Sequence, residues 1–254
     1  MTDVTRRFSG RVDNYIKYRP GYPDQVLETL QLECGLNKNS IIADIGSGTG
    51  ILTEIFLNHG NRVYGVEPNL EMRQAAERLL LHYPHFMSIN GRAEETTLPD
   101  SSVDFIAAGQ AFHWFDRENA GIEFRRILKP DGFAVLLWNE RLTDSTPFLF
   151  EYELLLKRFG TDYQLIDHRL TGAETINAFY GEGGCSYRSF ANVQKFDYEG
   201  LEGRLLSSSY VPGEEDPRYL PMLDQLKCIF IDHQKRGLVD FEYRTQLYFG
   251  KLNR

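Results

Sequence analysis

The sequence is poor in cysteine and has no long apolar run. Its 254 residues include three cysteines, Cys34, Cys185 and Cys228, which are far apart and form no CxxC pair. This pattern excludes a disulfide framework, gives no sign of a metal site, and is typical of a reducing compartment. Apolar stretches such as "FAVLLW" are far shorter than the roughly 20 residues of a membrane helix. The opening "MTDVTRRFSG" lacks the apolar segment of a signal peptide. We therefore expect a cytoplasmic protein.

Positive charge is also in short supply. The chain has 28 Lys and Arg against 36 Asp and Glu, a net charge of −8, and no basic run longer than a pair. Nucleic acid and anionic membranes are therefore disfavoured as partners, because neither attracts a negatively charged protein. We expect a small-molecule substrate and a monomer or homodimer.

Residues 36–140 alternate between strand and helix patterns. The sequence predicts helices over 51–60, 69–80 and 116–128, the last ended by Pro130 and Gly132, and strands over 40–46, 62–68, 86–93, 103–109 and 133–139. Strands that are apolar on both faces and alternate with helices indicate a parallel sheet covered on both sides. The fold class predicted is α/β, doubly wound and Rossmann-like.

The remaining residues follow a different pattern. They predict helices over 147–160 and 216–237, with Pro217 in the first turn of the second, and strands over 187–200 and 239–252. The two late strands would extend the sheet to seven, as an antiparallel edge hairpin with helical additions. We expect a single domain, in which residues 36–140 bind a cofactor, 1–35 form an N-terminal lid and 141–254 form a helical substrate cap.

The segment "DIGSGTG", residues 44–50, places three glycines at alternate positions directly after the first strand. Such a loop lets a ligand approach the backbone at the carboxyl edge of the sheet. The dinucleotide pattern G-x-G-x-x-G requires a glycine at position 51, which is Ile51, and no Gly-Lys-Ser/Thr follows to form a P-loop. Asp44 would repel a phosphate but suits a cationic amine.

Two further acidic signals follow the next strands. Glu67 ends the second strand, where a carboxylate accepts ribose hydroxyls, and "GRAEE" follows the third. A ligand with an amine, a ribose and a base but no phosphate satisfies all three signals, and S-adenosylmethionine is such a ligand. Two alternatives stay open at this point, a protein that binds this cofactor without catalysis and an NAD-dependent oxidoreductase.

The motifs "ADIGSGTG", "VYGVEPNLEM", "GRAEETTLPDSSVDFIAAGQAFHWFD" and "ILKPDGFAVLLW" resemble those of class I S-adenosylmethionine-dependent methyltransferases. The resemblance covers residues 36–140, in order and at the usual spacing. Two segments, "DNYIKYRPGYP" and "QAFHWFD", are most similar to the branch that contains trans-aconitate methyltransferases and other small-molecule enzymes. The resemblance implies methyl transfer to a small molecule, with a carboxylic acid as one acceptor class.

The resemblance also implies roles for individual residues. Asp44 would act near the cofactor's amino group, Glu67 would hold its ribose, and Arg19 would pair with its carboxylate. Other residues would contact the remaining parts of the cofactor: Gly46, Ser47, Gly48, Gly50, Pro68, Met72, Ala93, Glu94, Gln110 and Ala111. Arg19 is also a candidate, with Arg11, for binding an acidic substrate.

The substrate pocket is predicted to be aromatic. Its candidates are Tyr15, Tyr18, His113, Trp114 and Trp138. His113 is a weak candidate for a general base. We favour instead a packing cluster of residues 113–115 that starts the next helix, with Asp116 as its N-cap. A carboxylate acceptor would need no base, so the catalytic residue stays unassigned.

Overall fold

A computed structural model describes residues 16–161, 163 and 172–252. Its strands form one seven-stranded sheet in the order β3-β2-β1-β4-β5-β7-β6. Strands β1 to β5 are parallel, whereas β7 runs antiparallel to both β5 and β6. The strands are β1 Ile41–Ile45, β2 Arg62–Val66, β3 Phe86–Ile89, β4 Val103–Gly109, β5 Leu128–Arg141, β6 Ser186–Phe196 and β7 Val239–Gly250. The predicted fold class, with an antiparallel edge, is confirmed.

Eight α-helices are described in these ranges. They are α1 Gln25–Cys34, α2 Ile51–His59, α3 Leu70–Leu79, α4 Arg117–Ile127, α5 Pro147–Phe159, α6 Ala173–Tyr180, α7 Tyr198–Leu206 and α8 Tyr219–His233. The predicted N-caps are present, because the side chains of Asn69 and Asp116 accept hydrogen bonds from the amides of Met72 and Asn119. None of the helices within the described ranges is long and apolar enough to cross a membrane.

The strand register brings the predicted site to one edge of the sheet. Asp44 is paired with Gly65 on one side and Ala107 on the other. The amide of Gly46 donates to the carbonyl of Val66 over 2.8 Å, just where β2 ends. The glycine loop, Glu67 and the segment after β4 therefore meet at the carboxyl ends of the strands.

Several predicted boundaries are wrong. Helix α4 ends at Ile127, one residue from the prediction, but β5 begins at Leu128 and not at residue 133. Pro130 and Gly132 therefore lie within the span of β5, where the pairing is interrupted: Leu128 pairs with Val103, and the next pair joins Phe133 to Phe105. Helix α8 begins at Tyr219, so Pro217 precedes it and is not in its first turn. The edge pair is not a hairpin, because two helices separate β6 from β7.

Helix α7 is absent from the sequence prediction, which extends β6 to residue 200. In the structure, β6 ends at Phe196, and Asp197 caps α7 by accepting a hydrogen bond from the amide of Gly200 over 2.8 Å. The alternating apolar pattern of 187–196 concealed this cap. Helices α1 and α6 also lie in segments that the prediction left without secondary structure.

The protein has one hydrophobic core on the sheet and a second core among its C-terminal helices. Helices α1 to α4 and α6 pack on the sheet around residues such as Phe56, Ile106 and Phe124, which are fully buried. Helices α5, α7 and α8 form a separate cluster with the outer part of β7, built on Tyr152, Leu201, Leu226, Phe241 and Tyr243. The second core forms one wall of the space beside the carboxyl edge of the sheet.

Replacement of Phe124 by alanine should destabilise the fold by about 3–5 kcal/mol, because the fully buried ring leaves a cavity. The ring packs edge-on against Phe115 and Phe179. The measurement is urea unfolding of Phe124→Ala beside Phe150→Ala, whose side chain is 51% exposed. Equal losses in the two variants would contradict this account of the core.

Candidate cofactor and acceptor site

A cavity of about 480 Å³ opens at the carboxyl edge of the sheet. The first half of the chain lines it with Asp44, residues 46–49, Gln110, His113 and Trp114. The second half adds residues of β5, α5, α7 and β7 and the loops beside them, among them Trp138, Arg141, Glu153, Arg204, Tyr210 and Tyr243. Both halves of the chain therefore line the cavity, which extends from the predicted cofactor loop to the C-terminal helices.

The three glycines of the loop have different surroundings. All have positive φ, but a Cβ built on Gly46 would lie 2.7 Å from the Cβ of Ala111, and one on Gly50 would lie 2.6 Å from Cδ1 of Leu80. These two positions are needed for packing within the protein. Gly48, with φ +57°, would meet no atom within 4 Å, and it lines the cavity. Of the three glycines, Gly48 is therefore the one that lets a ligand approach the backbone closely.

Two buried oxygens, on residues that line the cavity, have no hydrogen-bond partner among the described residues. Asp44 is 1% exposed, and its Oδ2 accepts a hydrogen bond of 2.6 Å from the Thr53 hydroxyl, whereas its Oδ1 has no partner there. Oγ1 of Thr49 is in the same situation. Burial raises the pKa of Asp44 to about 7, helped by the negative charge of Glu67. Such orphaned acceptors fit a ligand that brings a positively charged donor.

Glu67 ties the glycine loop to the end of β2. Its Oε2 accepts from the amide of Gly48 over 2.9 Å, and its Oε1 accepts from the amide of Asn69 over 2.8 Å. The carboxylate is buried, and that burial raises its pKa. Each carboxylate oxygen keeps a second lone pair, so the bonds to the loop leave capacity for ribose hydroxyls. The ribose role itself stays a prediction, since Glu67 is not among the residues that line the cavity.

Replacement of Glu67 by alanine should weaken cofactor binding by about 1.5–3 kcal/mol, because charged hydrogen bonds to the loop and the ribose are lost together. Calorimetry with S-adenosylhomocysteine measures this. The matched control is Glu71→Ala, which removes an exposed carboxylate from the first turn of α3. Unchanged affinity in a folded Glu67→Ala protein would contradict the role.

Gln110 follows β4 in a strained conformation. Its φ is +57°, which is uncommon for a residue other than glycine, and strain of this kind concentrates at functional sites. The backbone N–H of Gln110 donates to the carbonyl of Leu137 over 2.9 Å, and its side-chain Nε2 donates to the carbonyl of Asn139 over 3.1 Å. Gln110 is thereby fixed against β5 and lines the cavity, and its place beside the cofactor stays a prediction.

His113 and Trp114 lie in a short 3-10 turn, Phe112–Trp114, with their ring centroids 4.6 Å apart. Both line the cavity, as does Trp138. Asp116 caps the following helix, as expected for a packing cluster that leads into α4. The role of His113 as a general base stays a weak hypothesis.

Some predicted residues do not line the cavity. Tyr18 packs in the second core, where its ring lies against Gly203, instead of bordering the pocket. Glu94 accepts a hydrogen bond of 2.8 Å from the amide of Asp116. Tyr15 and Arg11 lie outside the described residues. The others that the cavity does not include are Gly50, Pro68, Met72, Ala93 and Ala111.

The cavity wall also contains a group of charged and phenolic residues that the sequence does not predict. Arg141, at the end of β5, forms a short ion pair with Glu153 and donates to the Tyr163 hydroxyl over 2.8 Å. Arg204, on α7, donates from Nε to the Tyr243 hydroxyl over 2.9 Å. These positions are brought together only by α5, α7 and β7. No local motif marks them.

The same wall is anchored to the N-terminal segment. Arg19 donates to the carbonyl of Ser207 over 3.0 Å, so its guanidinium is directed toward the C-terminal helices. Asn139 and Asn192 both donate to the carbonyl of Gly21, over 3.0 and 2.8 Å. Arg19 lines the cavity from a segment that β5 and β6 hold, and its contact with the cofactor or an acid stays a prediction.

Comparison with known proteins identifies the family of the chain. A family model described as a methyltransferase domain matches residues 43–136, which include the glycine loop and the segments after β2 and β4. An uncharacterized methyltransferase of Schizosaccharomyces pombe is 30% identical over 251 residues, which are 96% of each chain. A second methyltransferase-like protein of that yeast is 32% identical over 96% of this chain and 94% of its own length. The chain belongs to the methyltransferase family.

Solved structures agree on the fold. A candidate type II methyltransferase from Anaeromyxobacter dehalogenans is 18% identical, with a TM-score of 0.66 over 92% of this chain and 98% of its own. A phosphoethanolamine N-methyltransferase from Haemonchus contortus is 17% identical, with a TM-score of 0.55 over 96% of this chain and 57% of its own. The cofactor of the family is S-adenosylmethionine, which sets aside the oxidoreductase alternative.

Proposed function

We propose that the protein transfers a methyl group from S-adenosylmethionine to a small molecule bound in the cavity. Residues 36–140 would hold the cofactor and the later residues would enclose the acceptor. The observation that carries the proposal is the cavity of about 480 Å³ that extends from the glycine loop to the C-terminal helices. Its size is that of a small-molecule site.

The residues of the loop fit the cofactor. The open space above Gly48 admits a ligand against the backbone, and the orphaned Oδ1 of Asp44 suits an amino group. When bound, S-adenosylmethionine supplies a methyl group on a positively charged sulfur, so the leaving group needs no activation. The protein's task is then to orient the acceptor and exclude water, and orientation contributes at most about 7–11 kcal/mol.

A carboxylic acid is the acceptor class that the wall supports best. Four cations, Arg19, Arg141, Lys157 and Arg204, line the cavity there together with two carboxylates, Glu140 and Glu153. Guanidinium groups bind carboxylates through paired, charge-assisted hydrogen bonds. A carboxylate attacks without losing a proton, so this acceptor needs no general base. The similarity of the N-terminal segment to the trans-aconitate methyltransferase branch supports the same class.

The first test is calorimetry with S-adenosylmethionine, S-adenosylhomocysteine and NAD in parallel. We expect the first two to bind and NAD not to bind. Release of S-adenosylhomocysteine is then followed with a panel of small carboxylic acids, with their amides as neutral counterparts. Turnover of acids but not amides supports the proposal. Cofactor binding without turnover of any acceptor would instead favour a non-catalytic binding protein.

A further inference from the structure

We propose that Arg204 is the specificity-determining residue of the cavity and that it binds a carboxylate group of the acceptor. The inference rests on the proposed function, which it deepens by assigning the recognition of the acid to one side chain. Its basis is the position of Arg204 in the cavity wall and the balance of charge around it.

Arg204 is held in place from several sides. It is 5% exposed, and its Nε donates to the Tyr243 hydroxyl, which in turn donates to Oε1 of Gln194 over 3.0 Å. One terminal nitrogen donates to the Ser208 hydroxyl over 3.3 Å. The guanidinium also lies over the ring of Phe241, 5.3 Å from its centroid. A guanidinium has five N–H donors, and these contacts use two of them, so the fork keeps donors for a ligand.

The charge of Arg204 has no acidic partner among the described residues. Arg141 is paired with Glu153, which also lies 3.4 Å from the ammonium of Lys157. The nearest contacts of Arg204 are hydroxyls and aromatic rings, which stabilise a cation without neutralising it. A buried charge without a counter-ion is costly. An anionic ligand in the cavity would remove that cost.

The pKa of the Tyr210 phenol is lowered by the charge of Arg204 and of two other arginines. Burial by itself would raise the pKa of Tyr210, but Arg204, Arg19 and Arg141 act on the phenol and bring its pKa below the usual value. The Ser208 hydroxyl contributes in the same direction. At Tyr210 the positive charges of the three arginines, together with the Ser208 hydrogen bond, therefore outweigh the effect of burial.

The competing explanation is that Arg204 only packs, since Phe241 and Tyr243 lie under its guanidinium. The two explanations differ in what they predict for charge selectivity. A packing role makes every ligand bind less well when Arg204 is changed. A carboxylate-binding role lowers the affinity for acids while leaving that for neutral counterparts in place.

The test measures binding of succinate and of its neutral diamide to the protein saturated with S-adenosylhomocysteine, by calorimetry. Arg204→Met keeps an unbranched apolar side chain and removes the charge, and Arg204→Lys keeps the charge and removes the fork. The control is Arg158→Gln, which removes one exposed charge from α5. Melting temperature and S-adenosylhomocysteine affinity show that each variant is folded.

We expect succinate to bind the wild-type protein and Arg158→Gln equally. It should bind Arg204→Met about 10- to 100-fold more weakly, with Arg204→Lys between them. The ratio of succinate to diamide affinity should fall by the same factor. Equal binding by Arg204→Met and wild type, no succinate binding by wild type, or tighter binding of inorganic phosphate than of succinate would each overturn the proposal. Because the measurement needs no turnover, failure of methyl transfer is detected separately.

Discussion

Replacement of Gly48 by valine should abolish measurable binding of S-adenosylmethionine, a loss of more than about a hundredfold. The new Cβ would project into the open space that adjoins the cavity, where it meets no protein atom within 4 Å. A branched side chain there would occupy the space required by a ligand that approaches the backbone. It would also strain the loop, because φ at Gly48 is +57°.

Backbone strain and blocked access can be separated. Gly237 also has a positive φ, +79°, and a Cβ there would meet nothing within 4 Å, but it lies in an exposed turn before β7. Gly237→Val therefore carries similar strain without occupying the site. Calorimetry should show full affinity in Gly237→Val and none in Gly48→Val. Wild-type affinity in a folded Gly48→Val protein would contradict the assignment of the loop.

The affinity for S-adenosylhomocysteine should rise with pH up to about pH 7 and then level off. The pKa of Asp44 is raised to about 7, so below that value the carboxyl group is largely protonated and cannot pair with the amino group of the ligand. Binding must then release a proton, and affinity gains about tenfold for each pH unit below the pKa. Calorimetry in buffers of different ionisation enthalpy measures the proton released.

Asp44→Asn should lose this pH dependence together with most of the affinity. Its amide oxygen can still accept the hydrogen bond from Thr53, so the fold is preserved. The unliganded variant should gain stability relative to wild type as pH rises. The raised pKa means that wild-type Asp44 favours folding least above pH 7, where its buried carboxyl must ionise. A pH-independent affinity in wild type would show that Asp44 is not the group that pairs with the ligand.

The proposed cofactor side of the site follows from local sequence patterns. Each part of it, from the glycine loop to Glu67 and Gln110, sits directly after a strand whose apolar run is visible in the sequence. Parallel strands place those positions at one edge of the sheet. The sequence could not show that Gly46 and Gly50 are needed for packing, because their neighbours, Ala111 and Leu80, come from elsewhere in the chain. It also could not show that Glu67 and Glu94 do not line the cavity.

The acceptor side could not be predicted in this way. Arg141, Glu153 and Arg204 belong to three different elements, and Arg204 lies on a helix whose cap, Asp197, the alternating pattern of β6 concealed. What brings these residues together is long-range packing around Phe241 and Tyr243. No short motif encodes such a contact, whereas a strand followed by a turn does encode the cofactor edge.

The order of the strands has a consequence for synthesis. Strand β7 lies between β5 and β6, so β6 gains its ladder only after residues 239–250 have left the ribosome. A nascent chain that ends before β7 already contains all the strands of the cofactor edge, but neither Tyr243, which fixes Arg204, nor the partner strand of Asn192. We therefore expect the protein to acquire cofactor affinity during translation and acceptor selectivity only after β7 has docked.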